Sequence, residues 1–247
     1  MNPDLITERT TEMSPRFQAR LAGAIAWITT TSAFAIFVRA KLVVSVDAAA
    51  TAHNILTHEL LYRLGFLGDV LALLYILYTL LLYSLFRPVS RGLSLLAAVF
   101  SLVGCAVQAV LLVFLLAPLD VLKDAHPFSA FTAEQSQDLA LTFLKLHAQG
   151  YTVSMLLFGS YNILIGYLIV RSSFLPRILG VLLTISGVCY QIDNFAAFLS
   201  PSFQARLEPY ILVPGAAELL LALWLVVVGV NVERWKEQAN RAGASQC

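Results

Sequence analysis

Apolar residues run through this chain in six long blocks, at residues 20–38, 64–86, 92–117, 146–170, 178–199 and 210–231. Each is long enough to cross a bilayer as a helix, because a hydrocarbon core about 30 Å thick takes roughly 20 residues at about 1.5 Å of rise each. The pattern therefore predicts an all-α polytopic membrane bundle of about six helices. It divides the chain into a tail over residues 1–19, a transmembrane domain over 20–231 and a second tail over 232–247. Two connections carry helical patterns of their own. Ile55, Leu56 and Leu60 recur at helical spacing beside the i,i+4 pair Glu59 and Arg63. Thr132 with Gln135 resembles a capping box that opens a helix through Lys145. Both segments are expected to lie along the membrane surface.

Composition agrees: 59% of the residues are apolar and 13% charged, against about half and a quarter in a soluble domain. The connections differ in charge. RPVSR at 87–91 and RSSFLPR at 171–177 hold arginines and no acid, and the tails add Arg9, Arg16, Arg20, Arg234, Lys236 and Arg241. The opposite loops are longer and carry Asp47, Glu59, Asp120, Asp124, Glu134, Asp138 and Glu208. Since short cytoplasmic loops are enriched in Lys and Arg, both termini are expected inside. Arg9, Arg16, Ala33 and Ala35 imitate a secretory signal with its cleavage site, but the apolar run is long enough to span and reads as the first helix. A faint repeat links residues 87–108 with 171–191: each runs from a basic turn into an apolar helix with Gly four before Gln (Gly104 and Gln108, Gly187 and Gln191), suggesting two related hairpins. A net charge of +1 without a basic face argues against nucleic acid. Cys105, Cys189 and Cys247 form no CxxC pair, and Cys247, as the last residue, makes no prenylation box.

The informative residues are the ionisable ones inside apolar blocks, since each costs a few kcal/mol there and needs a partner, a wet cavity or a role. Asp69, His147, Asp193 and Glu218 are of this kind, joined by the uncharged Gln108, Asn162, Gln191 and Asn194. Counting rise along the blocks puts Asp69 roughly 8 Å, Asp193 about 9 Å and Glu218 about 12 Å below the outer boundary. Arg39 and Arg63 stand at the outer rims as possible ion-pair partners. Helical phase gathers His147, Tyr151, Ser154 and Asn162 on one stripe, Tyr190, Gln191 and Asn194 on another, and Gly215, Glu218 and Ala222 on a third. Pro214 invites a kink before Glu218. An outward-facing polar pocket built by Asp69, Gln108, His147, Tyr151, Gln191, Asp193 and Glu218 is the economical reading. The plainer one is that Asp69 pairs with Arg39 or Arg63 merely to fix helix order, and that Glu218 stays protonated and bonds a tyrosine or a glutamine. His53, His58 and His126 are loop residues poorly spaced for one ion, so no metal site is expected, and no cofactor. Hydrolase, zinc-protease, P-loop and dinucleotide motifs are absent from the sequence.

Three segments, DAAATAHNIL at 47–56, RLGFLGD at 63–69 and FLPRILGVLL at 174–183, the last followed by Tyr190 and Asp193, resemble the bacterial family called domain of unknown function 4386. The resemblance runs from the first span to the sixth. It implies an all-helical domain of the bacterial cytoplasmic membrane and places Arg63, Asp69, Arg177 and Asp193 in the family pattern, without supplying an activity. The resulting expectation is a membrane protein that binds or transports a small or amphiphilic ligand. The alternatives are an intramembrane enzyme with His147 as general base oriented by Asp193, or a purely structural partner protein. Its one certain partner is the lipid bilayer.

Overall fold

The computed structural model describes residues 13–123, 131–207 and 212–244. Arg9, Asp124, His126, Glu208, Tyr210 and Cys247 lie outside them, as do the residues that would show a kink before Pro214. Among the described residues the elements are all helices, with no strand. The first span is α1 (Pro15–Thr29) with α2 (Thr31–Leu42), and the second is α4 (Glu59–Ala72) with α5 (Tyr75–Phe86). The next three are α6 (Arg91–Leu122), α7 (Ala133–Arg171) and α8 (Arg177–Leu199). A short α3 (Ala48–Thr57) follows the first span, and α9 (Pro201–Leu207) precedes α10 (Leu212–Val227) and α11 (Val232–Ala244). Five of these spans are long and apolar enough to cross a membrane, and α10 makes the sixth only as a pair with α11, from which it turns by 102°.

The spans close into a ring in chain order. α1 packs on α5, α5 on α6, α6 on α7, α7 on α8, α8 on α10, and α10 returns to α1. Successive spans are thus neighbours in the ring. Inside the ring Leu82, Tyr161, Ile165, Leu221 and Leu225 are buried. The outside is apolar as well: Ile178, Val181, Ile185, Val188, Ile192, Phe195 and Leu199 recur at three and four residues along α8 and are all exposed. A face of that kind is stable against lipid and not against water.

Spans one and two are broken at similar depth. Around the first break the hydroxyls of Thr29, Thr30, Thr31 and Ser32 donate to the carbonyls of Ala26, Trp27, Ile28 and Thr29. Such back-bonding competes with the helical ladder and bends it. In the second break Leu73 and Leu74 make tighter i to i−3 bonds to Val70 and Leu71. Above the breaks α2 and α4 pack together, and Thr31 also donates to Gly68 O at 3.1 Å.

The Thr132–Gln135 capping box is present, but its helix does not lie on the surface: α7 continues unbroken from Ala133 to Arg171. Nothing between Lys145 and Leu146 can stop a helix, and Ala140, Leu141 and Leu144 are buried. At about 1.5 Å per residue α7 is about 58 Å long, so its outer third stands clear of the hydrocarbon. There α3 covers it, with Thr51 and Ile55 buried.

α7 and α8 meet along paired glycines. A Cβ on Gly180 would sit 2.5 Å from Gly166 O, and one on Gly187 would sit 2.6 Å from Gly159 O. Both Gly-Gln echoes face α7. Gly104 abuts Phe158 while Gln108 bonds Ser154, and Gly187 abuts Gly159 while Gln191 bonds Ser160. In the second hairpin this is the contact between its own two helices; in the first it looks away from its hairpin partner. The environments are thus not equivalent, and the echo reflects two helices packing on one neighbour.

At the arginine-rich end Gly229 adopts φ 74°, a conformation costly for other residues, and the chain turns there into α11. The Trp235 indole donates to Leu85 O at 2.9 Å, and Ser173 N donates to Gln238 Oε1 at 3.1 Å. α11 therefore lies across the end of the ring.

Candidate functional site

The polar interior has two levels. In the upper one, the Arg39 guanidinium on α2 grips the Asp69 carboxylate on α4. Nη1 bonds Oδ2, and Nη2 lies 3.5 Å from Oδ1. Both side chains are nearly enclosed. Bidentate arginine holds a carboxylate at fixed geometry, which makes the pair a clamp between the two broken spans. Arg63 takes no part in it: the helix turns Arg63 outward, where it pairs with Glu59 at 2.8 Å, and Lys123 joins the same carboxylate at 2.6 Å. Of the two candidate partners for Asp69, the structure selects Arg39.

His147 is buried opposite this pair, with Arg39 as its charged neighbour, and its ring stacks on Tyr151 at 6.3 Å. A general base held by an acid needs a carboxylate on the imidazole. The charged neighbour of His147 is the Arg39 guanidinium. Asp193 is half-buried on α8 and engaged in an interaction of its own.

The lower level is built around Glu218 on α10. Asn162 on α7 donates from Nδ2 to Glu218 Oε1 at 2.7 Å, and Tyr190 on α8 lies within electrostatic reach of the carboxyl. Tyr190 is held in place by its neighbour, since Asn194 donates to its backbone carbonyl at 2.7 Å. The rings of Tyr75, Tyr78 and Tyr161 crowd beneath, with centroids 4.9 and 5.9 Å from that of Tyr75. Tyr161 is fully buried, yet its hydroxyl has no hydrogen-bond partner among the described residues. Beside it the Thr79 hydroxyl donates to Tyr75 O and shares a bond with the Ser101 hydroxyl.

Rise along the helices sets the depths. Asp69 stands about 26 Å from Phe86, whereas Glu218 and Asn162 each stand about 14 Å from the arginine-rich ends of their helices. Glu218 is therefore near mid-membrane, about 12 Å below Asp69, and the candidate residues do not gather in one outer pocket. The count from the outer start of its block put Glu218 about 12 Å below the outer boundary; counted from the other end of α10, at Val227, it stands about 14 Å from that end. Tyr151 connects the levels, lying within electrostatic reach of Arg39, Asp69 and Glu218, and Tyr190 lies within reach of both Tyr151 and Glu218. Gln108 and Gln191 are spent on packing: the first bonds Ser154 at 2.7 Å, the second bonds Ser160 at 2.7 Å and Leu156 O at 3.0 Å. A cavity of about 10 Å³ lies beside Arg39, lined by Val38, Tyr62, Gly65, Phe66 and Leu115. That is room for about one water. Among the described residues no cluster of three His, Cys, Asp or Glu could hold a metal.

Asn162 and Tyr190 belong to the centre although sequence reasoning did not place them in the site. Depth counted on the sequence blocks separates Asn162 from Glu218; only with α10 ending at Val227 do the two stand equally far from the arginine-rich ends of their helices.

The family described as "Domain of unknown function (DUF4386)" matches residues 21–229, a stretch that includes every residue of both levels. An uncharacterized protein of Archaeoglobus fulgidus is 28% identical over 148 residues, which is 60% of this chain and 72% of the relative. No solved structure matches.

Proposed function

The chain belongs to the family described as domain of unknown function 4386, and we propose that it is a multi-pass protein of the bacterial cytoplasmic membrane, arginine-rich end inward, that binds or carries a small or amphiphilic ligand. Glu218 is the proton-exchanging group in this reading. The supporting observation is that its carboxyl, near mid-membrane, is held by an amide, with a phenol within reach, rather than by a cation. A carboxylate without a counter-ion is among the costliest groups a span can carry, and intramembrane carboxyls of this kind mark proton and substrate paths. Tyr190 and Tyr151 provide hydroxyls between Glu218 and the Arg39–Asp69 pair, which would receive an anionic or hydrogen-bonding part of the ligand.

With only about 10 Å³ beside Arg39, the described conformation is closed. Ligand entry would part α2 from α4, the two half-helices that carry the ion pair and begin at the breaks near Thr30 and Leu73. Hinge positions of this sort absorb a domain motion in a few residues.

Two experiments test the reading. Native mass spectrometry of the detergent-extracted protein identifies a co-purified lipid or metabolite. Infrared spectra across pH report the carboxyl directly: a protonated-carboxyl band should be lost in Glu218→Gln and kept in Asp193→Asn, with expression intact in both. A band unchanged in Glu218→Gln, or ligand retention and pH dependence identical to wild type, removes Glu218 from the proposal.

A further inference from the structure

At the arginine-rich end a cleft of about 600 Å³ opens where the first turn of α1, the turn between α7 and α8, and the bend from α10 into α11 meet. Its volume falls in the range of small-molecule sites, and it is separate from the polar interior. One wall is apolar, formed by Trp224 and the exposed Val228; the mouth is polar, with Arg16, Asn231 and Arg234. The Arg16 guanidinium meets no hydrogen-bond or ion-pair partner among the described residues. The Arg234 guanidinium makes one long bond, donating to Ser173 O at 3.4 Å. Arg20, one turn from Arg16, is turned away to Val227 O at 3.3 Å. Glu233 is the one acid lining the cleft, so its charge is positive on balance. Around it Arg87, Arg91, Arg171 and Arg177 are all exposed at the same end of the ring.

We propose that this cleft binds the headgroup of an anionic phospholipid from the leaflet at the arginine-rich end, its phosphate between Arg16 and Arg234 and its glycerol and upper acyl chain on Trp224 and Val228. The chemistry of the lining selects an amphiphile: a free phosphate would use the arginines and leave the apolar wall wet. The level fits too. α11 turns by 102° and lies across the end of the ring with Trp235 anchored, which puts the cleft where tryptophans and basic side chains meet headgroups. Gly229 makes room for the basic side, since a Cβ there would sit 3.2 Å from Arg16 Cγ.

The test is native mass spectrometry of the full chain titrated with phosphatidylglycerol or with phosphatidylcholine, each with and without millimolar inorganic phosphate. One phosphatidylglycerol should be retained at least about ten-fold more tightly than phosphatidylcholine. Arg16→Gln with Arg234→Gln should lower that affinity by about 30-fold, two basic contacts being removed, while Lys236→Gln, outside the cleft, leaves it unchanged. Equal retention of the two lipids, or an unaffected double variant, overturns the proposal. Displacement by inorganic phosphate overturns the lipid as source and leaves a site for soluble phosphate. A second measurement needs no variant: phosphatidylglycerol brominated near its headgroup should quench tryptophan emission at lower concentration than the equivalent phosphatidylcholine, and coincident quenching curves would refute the selectivity.

Discussion

Replacing Gly187 by alanine tests whether the α7–α8 seam depends on backbone contact. The added Cβ would lie 2.6 Å from Gly159 O and 2.8 Å from Ile163 N. Ordinary contact begins near 3.4 Å, so the helices must separate by roughly 0.8 Å to clear the 2.6 Å contact, and neither obstacle is a side chain that can swing aside. Forcing an extra carbon into packed structure costs about 1–3 kcal/mol. Separation also stretches the 2.7 Å bond from Gln191 to Ser160, one turn away, and interhelical hydrogen bonds in membranes are worth about 0.6 kcal/mol on average. Against this, alanine gains up to about 1 kcal/mol over glycine in a helix. The net expectation is a loss of about 1–3 kcal/mol, a factor of roughly 5 to 150 in the folding equilibrium. Gly92→Ala is the control, because a Cβ there meets nothing within 4 Å and should be neutral or stabilising. Reversible unfolding of both variants in mixed micelles measures the difference. A Gly187→Ala protein as stable as Gly92→Ala would mean that the seam is loose and the glycines are incidental.

Three further outcomes follow from the same geometry. Removing one member of the enclosed pair, by Arg39→Gln or Asp69→Asn, should cost roughly 3 kcal/mol because a buried charge is left alone; the double variant should recover part of that, which a double-mutant cycle measures. Arg63→Gln, in an exposed pair, should fall within about 0.5 kcal/mol of wild type in the same assay. Trp235→Ala should release α11 from the ring, read as faster tryptic cleavage at Lys236 and Arg241, with Trp235→Phe intermediate because it keeps much of the packing and loses only the bond to Leu85 O.

The spans were legible because lipid imposes one requirement on every residue that faces it, and blocks such as 92–117 and 178–199 meet it without interruption. Their breaks were less so. Thr29-Thr30-Thr31-Ser32 could have been read as a run of hydroxyls able to bond back to the helix, but Leu73 and Leu74 are apolar residues in an apolar block, and nothing local marks them. Hydropathy also misjudged length: α7 runs well outside the bilayer, and its outer turns, mixed in polarity, look like a surface segment until α3 is found lying on them. The helix end at Val227 was hidden by Val228, Gly229 and Val230, which extend the apolar block past the turn, so the sixth block reads as a longer helix than the one that forms.

Candidate residues divide by what the ring leaves them to do. Gln108 and Gln191 face α7, and an inward amide beside a serine on the next helix finishes its bonding there, the adjacent glycines bringing that serine close. Such groups are packing elements, available to a ligand only if the helices part. Asp69 is similarly matched by Arg39, though across two half-helices that can move. Glu218 differs from both: its partners are neutral, its depth is near the middle, and beside it Tyr161 holds a buried hydroxyl with no described partner. An interior that served only to fix helix order would match its acid with a base, as the upper level does. The asymmetry between the two levels is therefore the reason to look for exchange at Glu218 and for gating at Arg39 and Asp69, and to expect the two to respond differently when each is neutralised.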